Sequence, residues 1–101
     1  MQVVESDLFT KWLKTLRDPI GRRMVLRRIA RIAISDEFGD HAGIGSGVSE
    51  LRIHTGPGYR VYYTIQGEEL VLLLCGGDKD SQARDVAKAK GLATQLAEPR
   101  N

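Results

Sequence analysis

The stretch from Val48 to Lys79 constrains the fold of this chain more than any other. Two turn signals, T-G-P-G and Q-G-E, divide it into three runs rich in residues that favour β-strands. Side chains alternate between the two faces of a strand, so each run can be assigned an inner and an outer set. We therefore predict a three-stranded antiparallel meander.

The two faces of this meander differ in chemical character. The apolar positions are Leu51, Ile53, Val61, Tyr63 and Ile65, and the opposite positions are Glu50, Arg52, His54, Arg60, Tyr62 and Thr64. The third run, Leu70 to Cys75, is apolar at almost every position, which is typical of a strand covered on both sides. We expect part of the polar face to line a concave surface.

Three helices are predicted from caps and apolar spacing. The first follows an N-cap at Ser6 or Asp7 and has an inner face made of Phe9, Trp12, Leu13 and Leu16. The second begins at Asp18-Pro19, ends near Ile34 and has an inner face made of Ile20, Met24, Val25, Ile29, Ile32 and Ala33. The third follows Asp80 or Ser81 and repeats Val86, Ala89, Ala93 and Leu96 at helical spacing.

The remaining segments complete a single domain over residues 1–101. Gln2 to Glu5 is β-prone and can add an edge strand, while Asp36 to Gly47 contains four glycines and is interpreted as a connecting loop. Its G-x-G-x-G pattern does not indicate nucleotide binding, because a helix precedes it and a strand follows. Glu98 to Asn101 is predicted to be a frayed tail. The predicted fold class is α+β, with helices on one face of a small antiparallel sheet.

Composition limits the class of protein. The chain is 42% hydrophobic and 28% charged, as in ordinary soluble domains. No apolar run approaches the roughly 18 residues of a membrane span, and no export signal precedes the first helix. The single cysteine, Cys75, is predicted to be a buried small hydrophobe, and we expect a cytoplasmic protein. No cluster has the spacing of a metal site, and no cofactor is predicted.

Basic residues are concentrated between Lys11 and Arg31, where Asp18 is the only acid. The arginines of the second helix are Arg22, Arg23, Arg27, Arg28 and Arg31. They fit either a solvated helix flank or a ridge that contacts phosphates, because their three- and four-residue spacing brings them to one flank. A polyanion or an acidic protein is therefore the expected partner.

The polar face of the meander is the candidate working surface. Arg52 and His54 share it with Arg60 and Tyr62 on the next strand, and G-G-D-K holds Lys79 at the exit of the third. Such a set suits RNA cleavage by attack of a 2′-hydroxyl on the adjacent phosphate, which needs a base, an acid and positive charge. A solvent-facing sheet surface and RNA binding without cleavage remain alternatives.

Four motifs carry a resemblance to a known family. They are F-x-x-W-L-x-x-L-x-D-P, F-G-D-x-x-x-x-G-x-G-V-x-E-L-R-I, G-P-G-Y-R-V-Y-Y and L-L-x-G-G-D-K-x-x-Q-x-x-D. Together they resemble the RelE/ParE toxin superfamily over roughly Phe9 to Leu92, and more narrowly its HigB-type branch of addiction-module killer proteins. The resemblance implies the toxin of a type II toxin–antitoxin system, a ribosome-dependent, metal-independent mRNA endoribonuclease that inhibits translation.

The resemblance also implies site residues and partners. Arg60 matches the arginine that stabilises the transition state, Lys79 another basic catalytic position, and Arg52 lies on the strand that carries basic residues. His54 is added as a candidate for proton transfer. Arg22, Arg23, Arg27, Arg28, Arg31 and Tyr62 are the expected RNA- or ribosome-binding residues. The implied partners are a helix-turn-helix antitoxin, which would also bind operator DNA, together with mRNA and the ribosome.

One departure from the pattern leaves an alternative open. RelE-like nucleases place a catalytic tyrosine in the last helix, and the corresponding segment of this chain contains neither tyrosine nor histidine. The ParE branch shares the fold but inhibits DNA gyrase without nuclease activity. A ParE-like gyrase inhibitor is therefore the alternative function.

Overall fold

The computed structural model describes residues 1–97 and contains three helices and one five-stranded sheet. In chain order, the elements are β1 Gln2–Glu5, α1 Asp7–Thr15, α2 Pro19–Ser35, β2 His41–Gly45, β3 Val48–Ile53, β4 Tyr59–Gln66, β5 Leu70–Asp78 and α3 Gln82–Ala97. The tail predicted for Glu98 to Asn101 lies outside the described residues. None of the helices within residues 1–97 is long and apolar enough to cross a membrane.

The sheet has the strand order β1-β5-β4-β3-β2. Strands β3, β4 and β5 form the predicted antiparallel meander, and β1 joins its edge as the predicted extra strand. The direction of β1 is parallel to β5, with Gln2 opposite Leu70, so the sheet is mixed and not wholly antiparallel.

The helices begin where the sequence predicts. The Ser6 side chain accepts a hydrogen bond from the backbone N–H of Phe9 and caps α1. Asp18 caps α2 by accepting from the N–H of Gly21, and Pro19 opens the helix. Within the predicted inner face of α2, Val25 and Ile32 are fully buried.

The expectation that Asp36 to Gly47 is only a loop was wrong. His41 to Gly45 forms β2, which pairs antiparallel with β3 through a two-residue turn at Ser46 and Gly47. Both turn residues have positive φ, 57° and 74°, which is the geometry of a tight hairpin. The glycines of H-A-G-I-G hid the strand because glycine has low β-propensity.

The expectation that all helices lie on one face of the sheet was also wrong. Helices α1 and α2 cover the face that carries Leu51, Ile53, Val61 and Tyr63. Helix α3 covers the opposite face, where Ala89 and Ala93 pack with Val48, Tyr62, Leu74 and Cys75. The packing of helices on both faces confirms that β5 is covered on both sides. Helix α3 also covers most of the predicted polar face.

Several predicted inner positions lie at the surface. Ile20 and Ala33 of α2, Ile65 near the end of β4 and Leu96 of α3 are exposed. Each lies near the end of its element, where the covering layer stops. The spacing of apolar residues therefore predicts which side of an element faces the core. It does not predict how far along the element the core extends.

Candidate functional site

The centre of the polar face is an ionic cluster built on two neighbouring strands. Arg52 of β3 lies directly opposite Arg60 of β4 in the strand register. Two arginines at this spacing repel one another unless a negative charge lies between them. The carboxylate of Glu50 supplies that charge: its Oε1 accepts a 3.1 Å hydrogen bond from Arg52 Nε, and its Oε2 lies 4.0 Å from Arg60 Nε.

Helix α3 closes this cluster from above. Gln82, in the first turn of α3, donates a 3.3 Å hydrogen bond from Nε2 to Glu50 Oε2. Glu50 and the side chain of Arg60 are almost wholly buried, whereas the side chain of Arg52 is 38% exposed. Of the three charged side chains in the cluster, Arg52 is therefore the one that is accessible to solvent.

The burial of Arg60 limits what it can contact. Its side chain is 6% exposed, and its Nη1 donates a 3.1 Å hydrogen bond to the backbone carbonyl of Tyr59. Its Nε has no hydrogen-bond partner among residues 1–97. In this conformation the side chain of Arg60 offers little surface to a phosphate, and its catalytic role stays a prediction.

Tyr62 lies deeper still. Its side chain is fully buried beneath α3, and burial, with Glu50 and Asp85 nearby, raises the pKa of its hydroxyl. Within the described part of the chain, this hydroxyl has no hydrogen-bond partner. Tyr62 is therefore not exposed in this structure, and the expected contact of Tyr62 with RNA stays a prediction.

The open end of the polar face carries a histidine–aspartate pair. His54 Nε2 is hydrogen-bonded to Asp40 Oδ2, and the other oxygen of Asp40 lies 3.8 Å from Arg52 Nη1. The hydrogen bond with His54 is the main reason why the pKa of Asp40 lies below its ordinary value, and Arg52 and Arg28 add to the effect. The His54 side chain is 65% exposed, so its ring is accessible from solvent.

Lys79 shares a shallow pocket with His54. The pocket has a volume of about 390 Å³ and is lined by these two residues and by the turn from Thr55 to Gly58. Gly58 has a φ of +80°, and a Cβ placed there would lie only 3.2 Å from Lys79 Cγ. Glycine at this position therefore serves two purposes, since it permits the turn and leaves room for the stem of Lys79.

The five arginines of α2 divide into two groups. Arg22 donates to the carbonyls of Leu13 and Lys14, and Arg28 donates to those of Phe38, Asp40 and Arg52. Both guanidinium groups thus bind the protein's own backbone, so the structure does not place them on an open RNA-binding ridge. The remaining three, Arg23, Arg27 and Arg31, are exposed.

The roles of Glu50, Gln82 and Asp40 in this site were not predicted from the sequence. Glu50 precedes Arg52 by two positions and so shares its face, which is a signal that was available in the sequence. Gln82 and Asp40 meet the site only because α3 folds over the sheet and the segment before β2 lies against β3. Their contribution required the tertiary structure.

A larger cavity of about 820 Å³ lies between α1 and α3, and Arg52, His54, Arg60 and Lys79 do not line it. Among residues 1–97, no group of three or more His, Cys, Asp and Glu side chains is arranged to hold a metal ion.

The arrangement of three helices on this five-stranded sheet is the RelE fold. The chain is similar to a double mutant of the E. coli toxin RelE in the free state, with a TM-score of 0.71 and 15% identity, over 96% of this chain and 97% of that one. Residues 11–98 match the model of the phage-derived Gp49-like proteins (DUF891), and the chain belongs to that family. A relative from Haemophilus influenzae, called an uncharacterized protein, is 41% identical over 96 residues, which cover 95% of this chain and 96% of the relative.

Proposed function

We propose that this protein is the toxin of a type II toxin–antitoxin pair. The RelE fold, with three helices on a five-stranded sheet, and the membership of the Gp49-like family support this class. Its expected partner is a small helix-turn-helix antitoxin, through which operator DNA would be bound. We further propose that it acts in the cytoplasm, as its cysteine usage predicts, and that it belongs to the HigB-type branch, which its sequence motifs resemble.

The proposed activity is metal-independent cleavage of mRNA on the ribosome. The observation that carries it is the hydrogen bond between His54 and Asp40 beside the pocket that Lys79 shares. A histidine oriented by a carboxylate and open to solvent is a suitable general base. The pocket beside it is open enough to admit a backbone phosphate.

The reaction proceeds by attack within the RNA strand. His54 takes the proton of a 2′-hydroxyl, whose oxygen then bonds to the adjacent phosphorus while the bond from phosphorus to the 5′-oxygen breaks. Lys79 gives a proton to the departing 5′-oxygen. The products are a 2′,3′-cyclic phosphate and a free 5′-hydroxyl, so no water molecule is consumed in this step.

The arginines have different parts in this proposal. Arg52, which is partly exposed and lies 3.8 Å from Asp40, supplies positive charge near the phosphate. Arg60 does not contact RNA in the conformation described here, because its side chain is buried against Glu50. Its part is to hold the ionic cluster that orients Arg52.

The activity can be tested by primer extension on a message translated in a purified system. We expect cuts within codons by the wild-type protein, and about a hundredfold slower cleavage by His54→Ala, which is the lower end of what general acid–base catalysis contributes. The matched control is His41→Ala, since His41 is the other exposed histidine and lies outside the pocket. An intact message with the wild-type protein, or equal loss in both variants, contradicts the proposal.

A second candidate function is inhibition of DNA gyrase. The burial of Arg60 and Tyr62 beneath α3, a helix with no tyrosine or histidine, favours it because these features leave fewer catalytic groups exposed. A supercoiling assay distinguishes the two functions. Loss of gyrase activity without RNA cleavage would make the protein a ParE-like inhibitor.

A further inference from the structure

The outer face of α2 carries an apolar surface that no other part of residues 1–97 covers. The core-facing side of the helix is formed by Gly21, Val25 and Ile32. At 3.6 residues per turn, Ala30 and Ile34 project to the opposite side, and Leu26 and Ala33 lie beside them. Leu26 is 46% exposed and Ile34 is 81% exposed, so two large apolar side chains lie in solvent on this one helix face.

The exposed alanines give this face a particular shape. Ala30 and Ala33 are both exposed, and they lie between Leu26 and Ile34 along the helix. Small side chains flanked by large ones form a depression into which the ridge of another helix can pack at close range. The shape therefore suits a helix better than an irregular loop.

A row of arginines runs beside this apolar surface. Arg23, Arg27 and Arg31 follow one another at four-residue spacing, so they lie along one flank. Arg31 lies 3.8 Å from Glu37, whereas Arg23 and Arg27 have no ion-pair partner among residues 1–97. These are the same three α2 arginines that do not bind the protein's own carbonyls.

We propose that the outer face of α2, defined by Leu26, Ala30, Ala33 and Ile34 with Arg23, Arg27 and Arg31, is the docking surface for an acidic amphipathic helix of the antitoxin. The apolar face of that helix would cover Leu26 and Ile34. Its acidic flank would pair with the arginine row. The inference rests on the toxin–antitoxin part of the proposed function and not on the nuclease activity.

Charge and polarity favour this occupant over two others. RNA would use the arginines but would leave the apolar surface exposed, since phosphates make no use of Leu26 or Ile34. A second copy of the chain would bring the same arginine-rich helix face to the interface, which like-charge repulsion disfavours. An acidic amphipathic helix would both cover the apolar side chains and pair with the arginines.

The docking surface is separate from the proposed catalytic pocket. Helix α2 packs on the sheet face that carries Leu51 and Val61, whereas Glu50 and Arg60 lie on the other face under α3, which contributes Gln82. The pocket lined by His54 and Lys79 contains no residue of α2. Binding to the antitoxin and cleavage of RNA can therefore be altered independently.

The test is the affinity of the full-length protein for the purified product of the neighbouring reading frame, measured by isothermal titration calorimetry. For the double variant Arg23→Glu/Arg27→Glu we expect a Kd at least about tenfold weaker than that of the wild type. The control is Lys11→Glu/Lys14→Glu, which makes the same charge change at exposed positions of α1 and should bind within about threefold of the wild type. Ile34→Ser, an apolar-to-polar change at the most exposed position, should also weaken binding.

The remaining outcomes overturn the proposal. The proposal is wrong if the Arg23/Arg27 and Ile34 variants bind as tightly as the wild type, or if the Lys11/Lys14 control is weakened equally. It is also wrong if the wild type does not bind the product of the neighbouring reading frame. Loss of ribosome co-sedimentation with antitoxin affinity intact would identify an RNA surface, and a wild-type dimer that Ile34→Ser dissociates would identify a second copy. Absence of RNA cleavage alone leaves the proposal unaffected, because the measured quantity is binding.

Discussion

Arg28 donates a hydrogen bond of 2.6 Å from Nη1 to the backbone carbonyl of Arg52, so a residue of α2 supports the strand that carries part of the candidate site. Its Nη2 donates to the carbonyls of Phe38 and Asp40 at 2.7 and 2.9 Å. One guanidinium group thereby ties together α2, the segment before β2 and the end of β3. Arg28 therefore fixes the backbone at Asp40 and Arg52 from the side of α2.

Substitution of Arg28 should therefore destabilise the protein. For Arg28→Ala we expect the free energy of unfolding to fall by about 2–3 kcal/mol, because three carbonyls lose a charged donor. The measurement is urea denaturation followed by circular dichroism. Arg27→Ala removes the neighbouring, exposed arginine and should change stability by less than about 0.5 kcal/mol. Equal effects in the two variants would contradict a supporting role for Arg28.

Glu50 should matter for stability more than its place on a polar strand face suggests. Glu50→Leu leaves the buried guanidinium of Arg60 without its counter-charge, and we expect a loss of about 3 kcal/mol in the free energy of unfolding. The double variant Glu50→Leu/Arg60→Met removes both charges and should be more stable than Glu50→Leu. A double variant no more stable than the single one would show that the pair is not coupled.

The stability of the protein should depend on pH through Asp18. The pKa of Asp18 lies below its ordinary value because the N–H of Gly21, and after it the hydroxyl of Tyr59, donates a hydrogen bond to the carboxylate. A carboxyl whose pKa is lowered by folding stabilises the folded state above its unfolded pKa, and this contribution disappears as the pH falls through the lower, folded pKa. The difference in unfolding free energy between wild type and Asp18→Ala should therefore be constant near neutral pH and shrink below about pH 4.

Tyr59→Phe provides the comparison for this measurement. It removes the 2.9 Å hydrogen bond from the Tyr59 hydroxyl to Asp18 Oδ2 but leaves the bond from Gly21. The pH-dependent part of the stability should be reduced but still present. A difference between wild type and Asp18→Ala that does not change with pH would contradict the assignment.

Cys75 should be unreactive in the folded protein. Burial raises the pKa of its thiol to about 11, so very little thiolate, the form that reacts with alkylating reagents, is present at pH 8. We expect iodoacetamide to modify Cys75 quickly only in denaturant, as measured by mass spectrometry. Ala87→Cys places a second thiol at an exposed position of α3, which should be alkylated in the folded state. Comparable rates for the two thiols would contradict the burial of Cys75.

Local signals in the sequence determined most of the secondary structure. Ser6 and Asp18 cap their helices as predicted, and T-G-P-G and Q-G-E divide the meander at the observed strand ends. These features depend on hydrogen bonds and dihedral angles within a few residues, so the sequence carries them. Strand β2 was missed because its glycines weaken the propensity signal and its pairing with β3 stabilises it instead.

The identity of the working surface depended on tertiary structure. The alternation along β3 and β4 correctly placed Arg52, Arg60 and Tyr62 on one face, but alternation does not say what covers that face. Helix α3 folds back over it, buries Arg60 and Tyr62 and leaves Arg52, His54 and Lys79 at the open end. Likewise, the spacing of the α2 arginines does not reveal that Arg22 and Arg28 turn to backbone carbonyls. Sequence determines which residues share a face, whereas long-range packing decides which of them meet solvent, a counter-charge or a ligand.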